Sequence, residues 1–337
     1  MGRRRWAASS MALLLAACGA GRSVPSGATT TVGASIVVAT SDVDTSDVAT
    51  SGPCTTLLGP GSTTRTIDRP EGARTYDLHM PSIENGARRP LIVDFHGTGG
   101  TPALQEAVTH FGEIGSTTGG WITATPQALG PMPAWAVPGA IPGDDIGFVE
   151  AMVDELVADA CVDPHRVFAT GISSGAAMSA FVGCESTRFA GVAPVAGVNL
   201  VRRCEGEAPV SLVAFHGTLD RYVPMDGLPG WDGPDFADLR KFYRGDLMAT
   251  VESWARRDGC ATEATTTSMG PMTTRYEWPG CRNGTKVVLY LSDGAGHTHP
   301  GATFPPGVTP SVGDVATDID ATEVIAEEFG LVDAPNP

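Results

Sequence analysis

Arg166-Val167-Phe168-Ala169-Thr170-Gly171-Ile172-Ser173-Ser174-Gly175-Ala176-Ala177 is the stretch that decides the fold. A β-rich run passes through Gly-x-Ser-x-Gly straight into a helix-forming run that begins at about Ser174. The flanking glycines permit a tight strand-to-helix turn that lifts Ser173 into a cleft. The helix that follows turns its free amides and positive end toward the same point. In a chain with 42 glycines the bare pattern says little; its position at a strand–helix junction gives it weight. Ser174 is the rival serine, but it lacks the symmetric glycine flanks.

Outward from this turn the chain alternates apolar strands with amphipathic helices. Leu91-Ile92-Val93-Asp94-Phe95 reads as a strand ending in His96-Gly97, residues 102–118 as a helix, and Trp121-Ile122-Thr123-Ala124 as a strand. Asp144 and Asp145 open a helix with apolar Ile146, Val149, Met152, Val153, Leu156 and Val157. Its acids Glu150, Asp154, Glu155 and Asp159 read as a solvated outer face. Beyond Ser173, residues 189–198 are apolar again and Val210–Phe215 is a strand ending in His216-Gly217. Residues 246–258 form a helix, Lys286–Leu291 a strand, and residues 321–331 a last helix. This alternation predicts the α/β class: a mostly parallel sheet with helices on both faces and its chemistry at the carboxyl ends of the strands. With the serine turn, it predicts the α/β-hydrolase fold.

A serine hydroxyl needs a base, and the base an orienting acid, in the chain order Ser, acid, His. His216, His297 and His299 are the histidines downstream of Ser173. His216 precedes the best acid, whereas His297 follows a strong strand in the loop Gly294-Ala295-Gly296-His297. His299, ahead of Pro300, fits a pocket position. Asp220 lies just beyond the strand ending at Phe215 and is the expected acid. Asp226 looks like a turn residue, and Asp293 is the reserve. The oxyanion requires backbone donors, assigned to the amides of Ser174 and of Thr98 in Thr98-Gly99-Gly100.

The ends and the cysteines speak of export. Arg3, Arg4 and Arg5 precede the short apolar run Met11–Ala17 and then Cys18, the order of a signal peptide over residues 1–17. Leu15-Ala16-Ala17-Cys18 resembles a bacterial lipobox, so Cys18 is the expected lipid-bearing residue and the lipid the only link to a membrane. Residues 18–52 lack a helical or strand period and read as a flexible tether, with the catalytic domain from 53 to 337. The six other cysteines suit disulfides, and no Cys/His cluster has zinc-ligand spacing. Chain order favours Cys54–Cys161, Cys184–Cys204 and Cys260–Cys281. A formal charge of −16 argues against nucleic acid and anionic lipid as partners. Oligomeric state is not legible.

These segments together resemble a known family. Phe95-His96-Gly97-Thr98-Gly99-Gly100, Asp144-Asp145-Ile146-Gly147-Phe148, Gly171–Ala176, Ala193-Pro194-Val195-Ala196-Gly197, His216–Pro224 and Gly296–Gly301 look like the polyhydroxybutyrate depolymerase and feruloyl esterase family, in its order. The resemblance implies the triad Ser173, Asp220 and His297, carboxylic-ester substrates, and neither metal nor organic cofactor. The family commonly has Trp where this chain has His299, which bears on aromatic and polymeric substrates; Trp135 is the other candidate for an aromatic wall, or else a core or surface residue. Rival functions are an acyltransferase or peptidase with the same triad, and a non-catalytic surface-binding lipoprotein.

Overall fold

In the computed structural model, six strands run parallel through the middle of a ten-stranded sheet, whose strands lie in the order 61–69, 72–80, 122–126, 89–95, 162–172, 191–195, 211–217, 287–292, 273–278 and 265–268. The structure describes residues 54–56, 58–84, 86–137, 143–201, 204, 208–227, 245–303 and 312–331. The expected signal peptide, Cys18 and the tether lie outside the described residues.

The parallel strands are β4 (Ile122–Pro126), β3 (Arg89–Phe95), β5 (Val162–Ile172), β6 (Gly191–Val195), β7 (Ser211–Gly217) and β10 (Val287–Ser292). They are buried on both faces, which is why they read as continuous apolar runs. Alternate residues feed two separate cores. Leu91, Val93, Leu212, Ala214 and Leu289 face one side, where they meet α3 (Asp145–Asp159), α4 (Ser174–Glu185) and α5 (Leu247–Arg257). Ile92, Val213, Phe215, Val288 and Tyr290 face the other, with Phe111 of α2 (Phe111–Ile114) and Ile325 of α6 (Ala321–Glu328).

Antiparallel pairs finish both edges: β1 (Gly61–Arg69) with β2 (Gly72–Met80), and β9 (Thr273–Trp278) with β8 (Thr265–Ser268). Neither hairpin is evident in the sequence. β8 is exposed along its whole length and β1 is half-buried at best, so neither carries an apolar run.

The helix expected over 102–118 is broken. α1 (Pro102–Thr109) starts on Thr101, whose side chain accepts from the Leu104 amide, and stops at His110 in a left-handed conformation, φ 54°. After α2 the chain widens into a π turn, Gly115–Gly119. Trp121 packs so closely on this turn that both positions must be glycine: a Cβ at Gly115 or Gly119 would lie 2.4 or 1.9 Å from its indole. Glu155 also departs from expectation. It faces the β1–β2 hairpin, accepting from Arg65 at 2.6 Å and from the Tyr76 hydroxyl at 3.0 Å. Half-burial against β1 and β2, rather than solvent, is its environment.

Three disulfides join Cys54 to Cys161, Cys184 to Cys204, and Cys260 to Cys281, the pairing that chain order favours. They fit an exported chain.

Candidate active site

Ser173 occupies the single turn between β5 and α4 with φ 60° and ψ −119°, a conformation that side-chain-bearing residues rarely adopt. Holding it there costs about 1–3 kcal/mol, which the surrounding packing must offset. The flanking glycines are required by close approach rather than by their own dihedrals. A Cβ at Gly175 would sit 2.0 Å from the Phe95 carbonyl oxygen, and one at Gly171 2.5 Å from the same atom. The end of β3 therefore passes directly beneath the serine turn. Ser173 donates its amide to Val195 of β6 at 3.1 Å, which ties the turn to the next strand. Ser174 is fully buried, so its hydroxyl is withdrawn from the cleft while its amide heads α4.

Asp220 and His297 come together across 77 residues. His297 Nδ1 lies 2.7 Å from Asp220 Oδ2. The other carboxylate oxygen accepts the Tyr222 and Val223 amides, both at 2.8 Å. Burial works to raise the Asp220 carboxyl, but the His297 hydrogen bond, attraction to His297 and His216 when those rings are protonated, and the Val223 amide outweigh it; the carboxyl lies below its ordinary value. A carboxylate so held is acceptor-only, so His297 Nδ1 is the donor and Nε2 is left as the basic nitrogen.

The loops that carry Asp220 and His297 are stitched to each other. Leu219 donates to the Ala295 carbonyl at 2.9 Å, and Thr218 to Ser292 at 3.0 Å. Gly296 and His297 donate their amides to Asp314 and Val312, both at 2.8 Å, so a third segment backs the imidazole. The Tyr222 ring lies 5.3 Å from the His297 ring. Asp293, the reserve acid, is taken up by the Thr218 hydroxyl at 3.0 Å, and Asp226 is exposed in a turn.

The candidate oxyanion loop follows β3. A Cβ built on Gly97 would contact Ser173 Cβ at 3.5 Å, so the loop adjoins the serine. Gly99 donates to Pro133 at 2.7 Å and Gly100 to Gly97 at 2.9 Å. The described hydrogen bonds commit neither the Thr98 nor the Ser174 amide, the two donors expected from sequence.

His96 holds this loop. Its Nδ1 donates to the Gly97 carbonyl at 2.7 Å, while Nε2 accepts the Ala128 amide at 3.1 Å. That arrangement needs a neutral ring, and burial lowers the pKa of His96 accordingly. Trp135 donates its indole N–H to the His96 carbonyl at 2.8 Å and is fully buried, edge-on to Phe95. It is a core residue that fixes the loop, and it forms no aromatic wall of the cleft. His299 is corrected in the same way. It is 3% exposed, its Nδ1 donates to Pro300 at 3.1 Å, and burial pushes its pKa down to about 4. Ala321 at the start of α6 donates to the Pro300 carbonyl at 3.1 Å, which ties the 298–302 turn to the helix.

Behind His96 and Trp135 lies a buried ion pair that sequence reasoning missed. Arg74 Nη2 meets Asp145 Oδ1 at 2.6 Å, and Asp145 Oδ2 accepts the Ala136 amide at 2.6 Å. Arg74 also reaches the Gln127 carbonyl at 3.2 Å, so both ends of segment 127–136 are anchored. Of the two acids that open α3, only Asp144 caps it, accepting from Gly147 at 2.9 Å. Helical spacing carried the signal: Asp145 lies three, four and seven residues before buried Phe148, Val149 and Met152, on the inward face.

No family model matches the sequence. The chain is 27% identical over 239 residues to feruloyl esterase B of Piromyces equi, covering 66% of this chain and 42% of that protein's length. It is 30% identical over 259 residues to the putative esterase NocK of Nocardia uniformis subsp. tsuyamanensis, covering 69% of this chain and 72% of that one. Among solved structures, an acetyl xylan esterase from Aspergillus awamori superposes with a TM-score of 0.55 at 16% identity, over 80% of this chain and all of that one. Thermogutta terrifontis esterase 2, phosphorylated by paraoxon, gives 0.50 at 17% identity over 82% of this chain and 98% of that one. At such identities these two speak for the fold, and the sequence relatives carry the family. The chain belongs to the feruloyl esterase-like family of serine ester hydrolases with the α/β-hydrolase fold.

Proposed function

We propose that this chain hydrolyses carboxylic esters through an acyl-enzyme on Ser173, with His297 as base and Asp220 as its orienting acid. The observation that carries the proposal is the 2.7 Å contact between His297 Nδ1 and Asp220 Oδ2. It fixes the imidazole tautomer and leaves Nε2 to take the Ser173 proton as the hydroxyl attacks the carbonyl. The Thr98 and Ser174 amides receive the oxyanion, and His297 returns the proton to the leaving alcohol. Water then repeats the sequence on the acyl-enzyme, releasing the acid and the free serine.

Feruloyl or acetyl esters of plant polysaccharide, supported by the names of the relatives, are the proposed substrates, with soluble oligoesters beside them. A polyhydroxybutyrate depolymerase is the second reading, supported by exposed Leu129 and Met132 beside the oxyanion loop, where Met132 lies 3.9 Å from a Cβ built on Gly99. Hydrolysis of methyl ferulate, p-nitrophenyl acetate and insoluble polyhydroxybutyrate separates them. Turnover of methyl ferulate or p-nitrophenyl acetate supports the first reading, and release of product from insoluble polyhydroxybutyrate with neither of these esters turned over overturns it. The proposed location is outside the cell, after removal of residues 1–17 and lipidation of Cys18. Cys18→Ser should then release the protein from the membrane fraction, and retention there would contradict the anchor.

A further inference from the structure

The triad does not use His216, although this histidine is fully buried at the end of β7, four residues before the acid. Its Nε2 lies 2.8 Å from the Val223 carbonyl, so Nε2 carries the proton and donates. The same nitrogen is 3.7 Å from Asp220 Oδ2, the oxygen that meets His297. Among the described residues Nδ1 has no hydrogen-bond partner. The ring thus makes one hydrogen bond where it has capacity for two, a poor use of a buried imidazole if fold stability were its only role.

Turn 220–223 explains its placement. Asp220 Oδ1 gathers the Tyr222 and Val223 amides from within the turn, and His216 gathers the Val223 carbonyl from the strand below. Both polar groups of Val223 are thereby fixed, and with them the direction of the carboxylate. We propose that His216 is a positioning residue that locks turn 220–223 to β7, so that Asp220 Oδ2 is aimed at His297 Nδ1. This rests on the reading of Ser173, His297 and Asp220 as the triad.

Neutrality of the ring matters as much as its hydrogen bond. The titratable groups that face it, from its own strand end and from the loop after β10, are Asp220 and His297. Burial lowers the pKa of His216 against the pull of Asp220, so the ring is uncharged at neutral pH. A cation there would compete with the His297 imidazolium for the same carboxylate oxygen.

Two substitutions separate the roles. His216→Gln keeps an N–H near the position of Nε2, whereas His216→Met keeps volume without a donor. The Met variant should lose on the order of 100-fold in kcat, the scale of an ångström-sized misplacement, with KM little changed. The acid limb of its pH profile should move to lower pH, because an imidazolium without its carboxylate loses protons more readily. The Gln variant should recover most of the rate and the profile. The far-downfield proton resonance of the His297–Asp220 hydrogen bond should be present in wild type and Gln, and shifted or absent in Met. A folded Met variant with wild-type kcat, profile and resonance would overturn the proposal, as would a Gln variant no better than Met. The resonance needs no substrate. An inactive wild type would therefore count against the esterase reading, while the resonance would still decide the role of His216.

Discussion

Glycine contacts decide most at the residue scale. The serine turn tolerates its φ of 60° because β3 runs hard against it, and Gly175 is where the fit is tightest. Gly175→Ala would drive a methyl group to 2.0 Å from the Phe95 carbonyl, so backbone has to move. The expected cost is about 3 kcal/mol or more, at the upper end for overpacking. Activity should fall further than stability, because the displaced segment also carries the Thr98 amide. Urea unfolding together with kcat/KM checks both; a variant within 0.5 kcal/mol of wild type, roughly the scatter of ordinary surface changes, would contradict the packing account. The residues read correctly in sequence as juxtaposed, Asp220 and His297, were legible because strand ends and chain order constrain them. His299 was expected in the pocket and Trp135 was left open between cleft wall and core, because nothing local distinguishes a polar or aromatic ring that lines a cleft from one that points inward.

Elements buried on both faces announced themselves, and the edge elements did not. β3, β7 and β10 are near-continuous apolar runs and β5 becomes apolar from Val167, whereas the threonines of β1 and β8 carry no signal of pairing. The link between β3 and α1 makes a prediction of its own. Asp94, fully buried on β3, accepts from Gln105 at 2.7 Å and Thr109 at 2.6 Å on α1 and, among the described residues, has no ion-pair partner. Burial, which outweighs the two hydrogen bonds, pushes its pKa from 3.8 up to about 7. The folded chain therefore binds this proton more tightly than the unfolded chain. The corresponding stability is fully present below pH 3.8 and is lost as pH rises through about 7. Asp94→Asn, with a flip of the Gln105 amide, removes the titration. The variant should gain stability relative to wild type as pH rises across that window, by at most about 1.4 kcal/mol per pH unit. Unfolding midpoints from pH 4 to 8 measure it; parallel wild-type and variant curves would contradict the assignment.

For the molecule as a whole, the sheet brings the loops after β3, β5, β7 and β10 to one edge, while Cys161 and Cys281 lie ahead of β5 and β10, toward the other. Cys54–Cys161 spans 107 residues, while Cys184–Cys204 and Cys260–Cys281 span 20 and 21. Loop entropy predicts about 4–5 kcal/mol for the long closure and about 3 kcal/mol for each short one. Paired Cys→Ser variants should rank in that order in chemical denaturation, and an equal or reversed order would contradict it. The central claim is that Ser173 is the nucleophile of a serine ester hydrolase, and covalent labelling tests it most directly. Incubation with an organophosphate followed by peptide mapping should find the adduct on Ser173, with ester hydrolysis abolished in step with labelling and absent from Ser173→Ala. An adduct on Ser174 or elsewhere, or robust ester turnover by Ser173→Ala, would contradict the account.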